Sequence, residues 1–309
     1  MGVLDPLLQR QMLVVTGKGG VGKTAVSATL GRALADAGRR VLVVEVDPRE
    51  NLHQMLGLPP SGGAIVPAGP RLWVQNLKPG QVLDEVVREQ LKLEMLARRV
   101  LESRVYQHAA AGAPGLKELA ILGHALRLLR GLGAPGTPEI DLVILDAPAT
   151  GHGVALLTAP QVVTDVVASG PFGRMARELA GFMADPARCG IAVVTLAEEM
   201  PVEESLELRA TLEQRLGRTP ELLVVNGLYP PVPPIAAAND AAAPALDLWR
   251  RRRLLNEREL ARLRQSWPGS PATPPVMPII VELPQLPLDR GPEMIGRLTA
   301  CLRAGGLAA

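Results

Sequence analysis

Aromatic residues are scarce, with three Trp, two Tyr and two Phe among 309 residues, so stacking platforms for single-stranded bases are hardly available. Cysteine is scarcer still. Cys189 and Cys301 stand far apart and form no C-x-x-C pair, which suggests neither a disulfide framework nor a zinc ribbon and fits a reducing cytoplasm. An excess of one charge is missing too. With 33 Lys plus Arg against 31 Asp plus Glu, the net charge of +2 gives no field to hold a polyanion, and nucleic acid is not an expected partner. No apolar run approaches the roughly 18 residues that cross a bilayer. Runs such as Ile191 to Ala197 stop at strand length, so direct membrane insertion is not expected and any membrane role would go through a partner. The N-terminus lacks a basic region followed by an apolar stretch, and Pro6 stands where a myristoylation signal wants Ser or Thr. A cytoplasmic location is expected.

What is present is globular. Apolar residues make up 47% and charged residues 21%, near folded averages. Short β-branched runs alternate with longer helical patterns, the mark of an α/β fold with a mostly parallel sheet wrapped by helices. The runs predict strands at Met12–Thr16, Val41–Val46, Leu72–Leu77, Asp141–Asp146, Ile191–Leu196, Leu222–Asn226 and Ile279–Leu283. Most are apolar throughout, as strands buried on both faces are. That favours one continuous core and a single domain over 1–309. Two stretches interrupt the rhythm. Residues 80–135 hold helical patterns at 84–103 and 116–132, a helical insertion that is either a client-binding or lid subdomain or ordinary cover for the sheet. Residues 229–278 hold ten of the 29 prolines and enclose a helix at about Asp240–Gln265 with four consecutive arginines, Arg250 to Arg253. Four in a row fan round a helix, so a solvated helix packed through Trp249, Leu260, Leu263 and Trp267 is the plain reading, and an anionic lipid or acidic-partner site the alternative.

Gly17-Lys18-Gly19-Gly20-Val21-Gly22-Lys23-Thr24 matches G-x-x-x-x-G-K-[ST] between a strand and a predicted helix, the context that a phosphate-binding loop requires. Its glycines let backbone N–H groups converge on phosphate oxygens, Lys23 reaches the β- and γ-phosphates, and the Thr24 hydroxyl ligates Mg²⁺. Asp47 follows the second strand, where a carboxylate can orient and deprotonate an attacking water; as D-P-R-E it could also be a helix N-cap. Asp146 ends a buried strand, where an unpaired carboxylate is costly, which points to a place near Mg²⁺. Asn226, at another strand end, can pair with the donor and acceptor edge of adenine or cap the following turn.

The extra lysine, Lys18, marks the deviant P-loop ATPases, and within them the chain resembles the arsenite-pump ATPase (ArsA) family, which includes the targeting ATPase for tail-anchored proteins. The resemblance rests on ordered blocks spanning nearly the whole chain: residues 17–24, Glu45-Val46-Asp47-Pro48 with Asn51-Leu52, Asp146 through His152 (DAPATGH), Val194-Thr195-Leu196 with Glu198 to Pro201, Val224-Val225-Asn226, and Pro284 through Arg290-Gly291. Septum-site and partitioning ATPases share the loop but not DAPATGH. The resemblance implies a homodimer that closes round two ATP molecules, with Asp47 acting on water and Lys18 reaching the other subunit's nucleotide. It makes Asp146, Pro148, Thr150, Gly151 and His152 the switch II loop, with His152 fixing loop geometry. Ala25 joins the ATP-binding loop, Asn226 and Pro284 flank the adenine, and Glu198 approaches the nucleotide from the partner subunit.

The chain also departs from its relatives. Ala25 stands where they usually carry Thr or Ser, and Cys189 and Cys301 make no thiol cluster of the kind that would bind arsenite. There is one P-loop where pump-driving members commonly have two. The expected activity is Mg²⁺-dependent ATP hydrolysis coupled to an unidentified protein or membrane-protein partner. The rivals are a targeting or holding factor for membrane proteins and a partitioning or positioning ATPase.

Overall fold

Eight Val-, Leu- and Ile-rich segments pair into one sheet among the residues that the computed structural model describes, namely 4–47, 49–91, 94–104, 107, 112–148, 152–167, 169–231, 243–268 and 279–305. The strands are β1 (Met12–Gly17), β2 (Val41–Glu45), β3 (Val66–Gly69), β4 (Leu72–Asn76), β5 (Leu142–Asp146), β6 (Cys189–Leu196), β7 (Leu222–Leu228) and β8 (Ile279–Pro284). Their order is β3-β4-β2-β5-β1-β6-β7-β8, and each neighbouring pair is parallel except β3 with β4. The seven predicted strands are all there. β3 is the addition, and its sequence, Val66-Pro67-Ala68-Gly69, is a poor strand former that a sheet tolerates only at an edge.

The helices are α1 (Lys23–Asp36), α2 (Asn51–Met55), α3 (Pro79–Leu91), α4 (Glu94–Leu101), α5 (Leu116–Leu129), α6 (His152–Val166), α7 (Gly170–Ala184), α8 (Glu199–Leu216), α9 (Ala243–Ser266) and α10 (Pro292–Arg303). Along β1 successive side chains enter opposite cores, as the period of two demands. Met12 and Val14 pack with residues of α3 and α5 to α8, whereas Leu13 and Val15 pack with α1, α2 and α10. Within 80–135, α3 and α5 bury Val82, Leu83, Val86, Leu119, Leu122 and Leu126 in the core on one face of the sheet. α4 differs, leaving Met95 83% and Leu96 46% exposed.

The basic run is largely neutralised inside the chain. Arg251 pairs with Asp247, Arg252 with Glu198 and Arg253 with Glu257, and further along α9 Arg262 pairs with Glu203 and Arg264 with Glu282. Leu263 and Trp267 anchor the far end in the core, while Trp249 meets Tyr229 edge-on at 5.5 Å. The Pro-rich flanks at 232–242 and 269–278 lie outside the described residues. Among the described residues no helix is long and apolar enough to cross a membrane.

Candidate functional site

Because β1, β2 and β5 to β8 run parallel, their carboxyl ends gather at one edge of the sheet, the place where open α/β sheets bind ligands. The loop between β1 and α1 crosses that edge. Gly17 lies at φ +148°, and a Cβ there would fall 2.2 Å from the carbonyl O of Val194, so the loop leaves the sheet through a gap only glycine fits. Gly22, at φ +89°, precedes α1, and no side chain caps the helix. Its first N–H groups are therefore left without a side-chain acceptor, as an anion site at a helix N-terminus requires. Lys23 arches back over the loop and donates to the carbonyl O of Lys18 at 3.0 Å. Burial lowers the pKa of this ammonium, with Asp146 and Asp47 acting in the opposite direction.

Beneath Lys23 the carboxylate of Asp146 is gripped from both sides. Thr24 Oγ1 donates to its Oδ2 at 2.6 Å and Ser27 Oγ to its Oδ1 at 3.0 Å. Burial pushes this carboxyl up to about 6, while the two hydroxyls and Lys23 favour its charged form. A hydroxyl and a carboxylate in contact at a phosphate loop are the hard oxygen donors that Mg²⁺ takes beside nucleotide phosphates, so Thr24 and Asp146 fit that ion. Ser27 escaped the sequence reading. The available signal was its place one turn after Thr24, which puts both hydroxyls on one face of α1.

Asp47 sits half-buried beyond β2 and accepts the backbone N–H of Arg49 at 2.8 Å, an Asx turn. It does not cap α2, whose N-cap position is Glu50. Asp47 and Pro148 also line a cavity of about 640 Å³. Pro48, Thr150 and Gly151 lie outside the described residues, as does the side chain of His152.

A second cavity, of about 520 Å³, runs from loop residues Gly20 to Ala25 to Asn226 and Pro284. Asn226 Nδ2 donates to the carbonyl O of Val21 at 3.0 Å, which ties the end of β7 to the loop. A Cβ on Gly22 would lie 2.4 Å from that nitrogen. Lys18 points elsewhere, toward α8, where it pairs with Glu204, and Glu198 is engaged by Arg252. Cys189 is buried on β6 with its thiol pushed up to about 12 by burial, and Cys301, on α10, packs against the opposite core.

The family model described as "Anion-transporting ATPase" matches residues 10–175, more than half of the chain. The ATPase BagA of Mycobacterium tuberculosis (strain ATCC 25618 / H37Rv) is 30% identical over 217 residues, which cover 65% of this chain and 60% of that protein. The arsenical pump-driving ATPase of Escherichia coli is 29% identical over 277 residues, 84% of this chain and 45% of that one. The ATPase GET3C of Arabidopsis thaliana is 28% identical over 166 residues, 49% and 42% of the two chains. The chain thus spans no more than three fifths of the length of these curated relatives.

Proposed function

The chain belongs to the anion-transporting ATPase family, and on that premise we propose that it hydrolyses ATP with Mg²⁺ as a cytoplasmic homodimer whose nucleotide state is read by a protein or membrane-protein partner. The observation that carries the reading is the pair of hydroxyls, Thr24 and Ser27, on the buried Asp146 carboxylate behind Lys23. Such a grip holds a carboxylate ready at the point where phosphate charge arrives.

In this reading the loop N–H groups and the open end of α1 bind the β-phosphate, and Lys23 exchanges the carbonyl of Lys18 for β- and γ-phosphate oxygens. Mg²⁺, when bound, neutralises charge on the phosphate oxygens, and Thr24 and Asp146 are the residues that would hold it. Asp47 orients the attacking water and takes its proton. Lys18 leaves Glu204 and crosses to the neighbouring subunit's phosphate, where a cation stabilises the transferring group. The cavity that ends at Asn226 and Pro284 takes the adenine. Phosphate release with and without Mg²⁺, compared between the native chain and Lys23→Ala, tests the activity. Hydrolysis independent of both would remove the proposal.

One observation favours the rival reading of a factor that holds apolar clients. α4 presents Met95 and Leu96 to solvent, with Val100 partly exposed beside them. A photo-crosslinker at Met95 that captures apolar segments only in one nucleotide state would support it, and capture indifferent to nucleotide would not.

A further inference from the structure

The segment between β2 and α2, which carries Asp47, is held by a side chain with no part in the reading above. Asn76 ends β4 in register with Glu45 at the end of β2, and it is buried. Its Nδ2 lies 2.9 Å from the carbonyl O of Asp47, 3.3 Å from the carbonyl O of Arg49 and 3.3 Å from Oε2 of Glu45. One amide group thus faces two backbone carbonyls of the turn and one carboxyl oxygen on the strand behind it. Glu45 holds the other end, because its Oε2 accepts the N–H of Leu52 in the first turn of α2 at 3.1 Å. The backbone closes the frame, with Leu77 N donating to the carbonyl O of Glu45 at 2.8 Å.

A buried amide is costly unless its groups are bonded, and an apolar side chain would fill the same space more cheaply. Among the described residues the hydrogen bonds of the Asn76 side chain are all donated and its Oδ1 has no partner, so the donor end accounts for the choice of residue. Aspartate in its place could not donate when ionised and would set a second carboxylate against Glu45. Leucine would leave the carbonyls of Asp47 and Arg49 without the amide.

We propose that Asn76, anchored on Glu45, is a positioning residue for Asp47, fixing the backbone of the turn so that the carboxylate is aimed at the attacking water. This rests on the reading of Asp47 given above. Aim matters because a displacement of about 1 Å in a reacting geometry can cost on the order of a hundredfold in rate.

The test combines amide hydrogen exchange with turnover on the full chain carrying Asn76→Leu, Asp47→Asn or both. Asn76→Leu is expected to speed exchange at residues 49–52 by about tenfold, the scale of one lost hydrogen bond, while β1 and α1 keep their protection. The ATP Kd should move less than about threefold and kcat fall about tenfold or more. In the Asp47→Asn background the same substitution should cause no further fall, because residues that act through one another are not additive. Unchanged exchange at 49–52 overturns the clamp. An equal loss of kcat with and without Asp47 overturns its action through that residue. Full turnover in Asp47→Asn would defeat the reading of Asp47 itself, and with it the aiming role, while exchange still decides whether the clamp exists. If Asn76→Leu does not fold, Asn76→Ser takes its place. Retaining a single shorter donor, it should speed exchange at 49–52, and native exchange there overturns the clamp equally.

Discussion

Lys18 and Glu204 form an ion pair within one chain, between the phosphate loop and α8. The lysine that the family resemblance assigns to the neighbouring subunit is thus engaged at home, and to cross an interface it must first leave this carboxylate. Lys18 is 44% exposed in its side chain, so the pair is worth no more than about 1 kcal/mol. Because each of the two subunits gives up one such pair on closing, Glu204→Gln should strengthen ATP-driven dimerisation by at most about thirtyfold, as read by sedimentation with a non-hydrolysable analogue. Weaker dimerisation would mean that Glu204 supports the closed state and does not compete with it.

Complementation decides where Lys18 acts. Lys18→Ala and Asp47→Asn should each be inactive alone. A mixture in which cross-linking confirms the heterodimer should recover turnover, because one site keeps its own Asp47 and receives Lys18 from its partner. No recovery in such a mixture would refute action across the interface.

Lys23 and Asp47 should separate binding from chemistry. Removing the buried ammonium of Lys23 weakens ATP binding, whereas Asp47→Asn should keep the Kd and lower kcat by about 10² to 10⁴, the range of general-base catalysis. Isothermal titration with single-turnover kinetics distinguishes the two, and unchanged turnover in Asp47→Asn would remove that residue from the reaction.

Ser27 should matter to stability more than to metal. Ser27→Ala leaves one oxygen of a buried carboxylate short of a donor, at a cost of about 1–3 kcal/mol in urea denaturation. Thr24→Ala, which also deletes the proposed ligand, should raise the Mg²⁺ concentration for half-maximal hydrolysis well beyond Ser27→Ala. Equal effects on the metal requirement would place both hydroxyls in one purely structural role.

Glu45 should make folding stability fall with rising pH. Burial pushes its carboxyl up to about 7 in the folded chain, and Asp146 adds to this, while the Leu52 N–H and the amides of Asn76 and Asn51 pull it down. An unfolded glutamate titrates near 4.3, so between those values the native chain holds a proton that the unfolded chain releases. This contribution is complete below the unfolded value and is lost as the pH rises through the folded one. Stability should drop by about 1–3 kcal/mol from pH 5 to pH 8, and Glu45→Gln should flatten that slope in parallel denaturation curves. An unaltered slope would show that Glu45 does not titrate in this window.

The parts of the site legible in the sequence were the local ones. Residues 17–24 announce their chemistry in eight consecutive positions, and the central strands declare themselves because burial on both faces leaves them apolar throughout. Ser27, Asn76 and Glu204 escaped because each gains its meaning from a partner brought by the sheet register or by a distant helix. The arginines of α9 were read as a solvated face, and the structure adds their partners, Glu198, Glu203 and Glu282, from elements no local pattern connects to α9. β3 escaped for the opposite reason, since Pro67 and Gly69 argue locally against a strand that only an edge position permits.

The same arginines make one part of the attachment of α9 sensitive to ionic strength. Apolar burial on this helix concentrates toward its C-terminal end, at Leu260 and Leu263 with Trp267 just beyond, whereas its opening turns are held by Trp249, which meets Tyr229 edge-on and donates to the carbonyl O of Pro230 at 2.8 Å, by Arg253 donating to the carbonyl O of Tyr229 at 2.8 Å, and by exposed charge pairs. Screening shortens the reach of such charges from about 10 Å at 0.1 M salt to about 3 Å at 1 M. Rising salt should therefore loosen the charged contacts of the opening turns and leave the anchors at Trp249, Leu263 and Trp267 in place. The first tether to another element to slacken is Arg252 with Glu198, at the head of the same α8 that holds Lys18 through Glu204. The same screening reaches the partly exposed ion pair of Lys18 with Glu204 directly, so the ionic medium bears on the phosphate loop's extra lysine and on the hold of α9 at once.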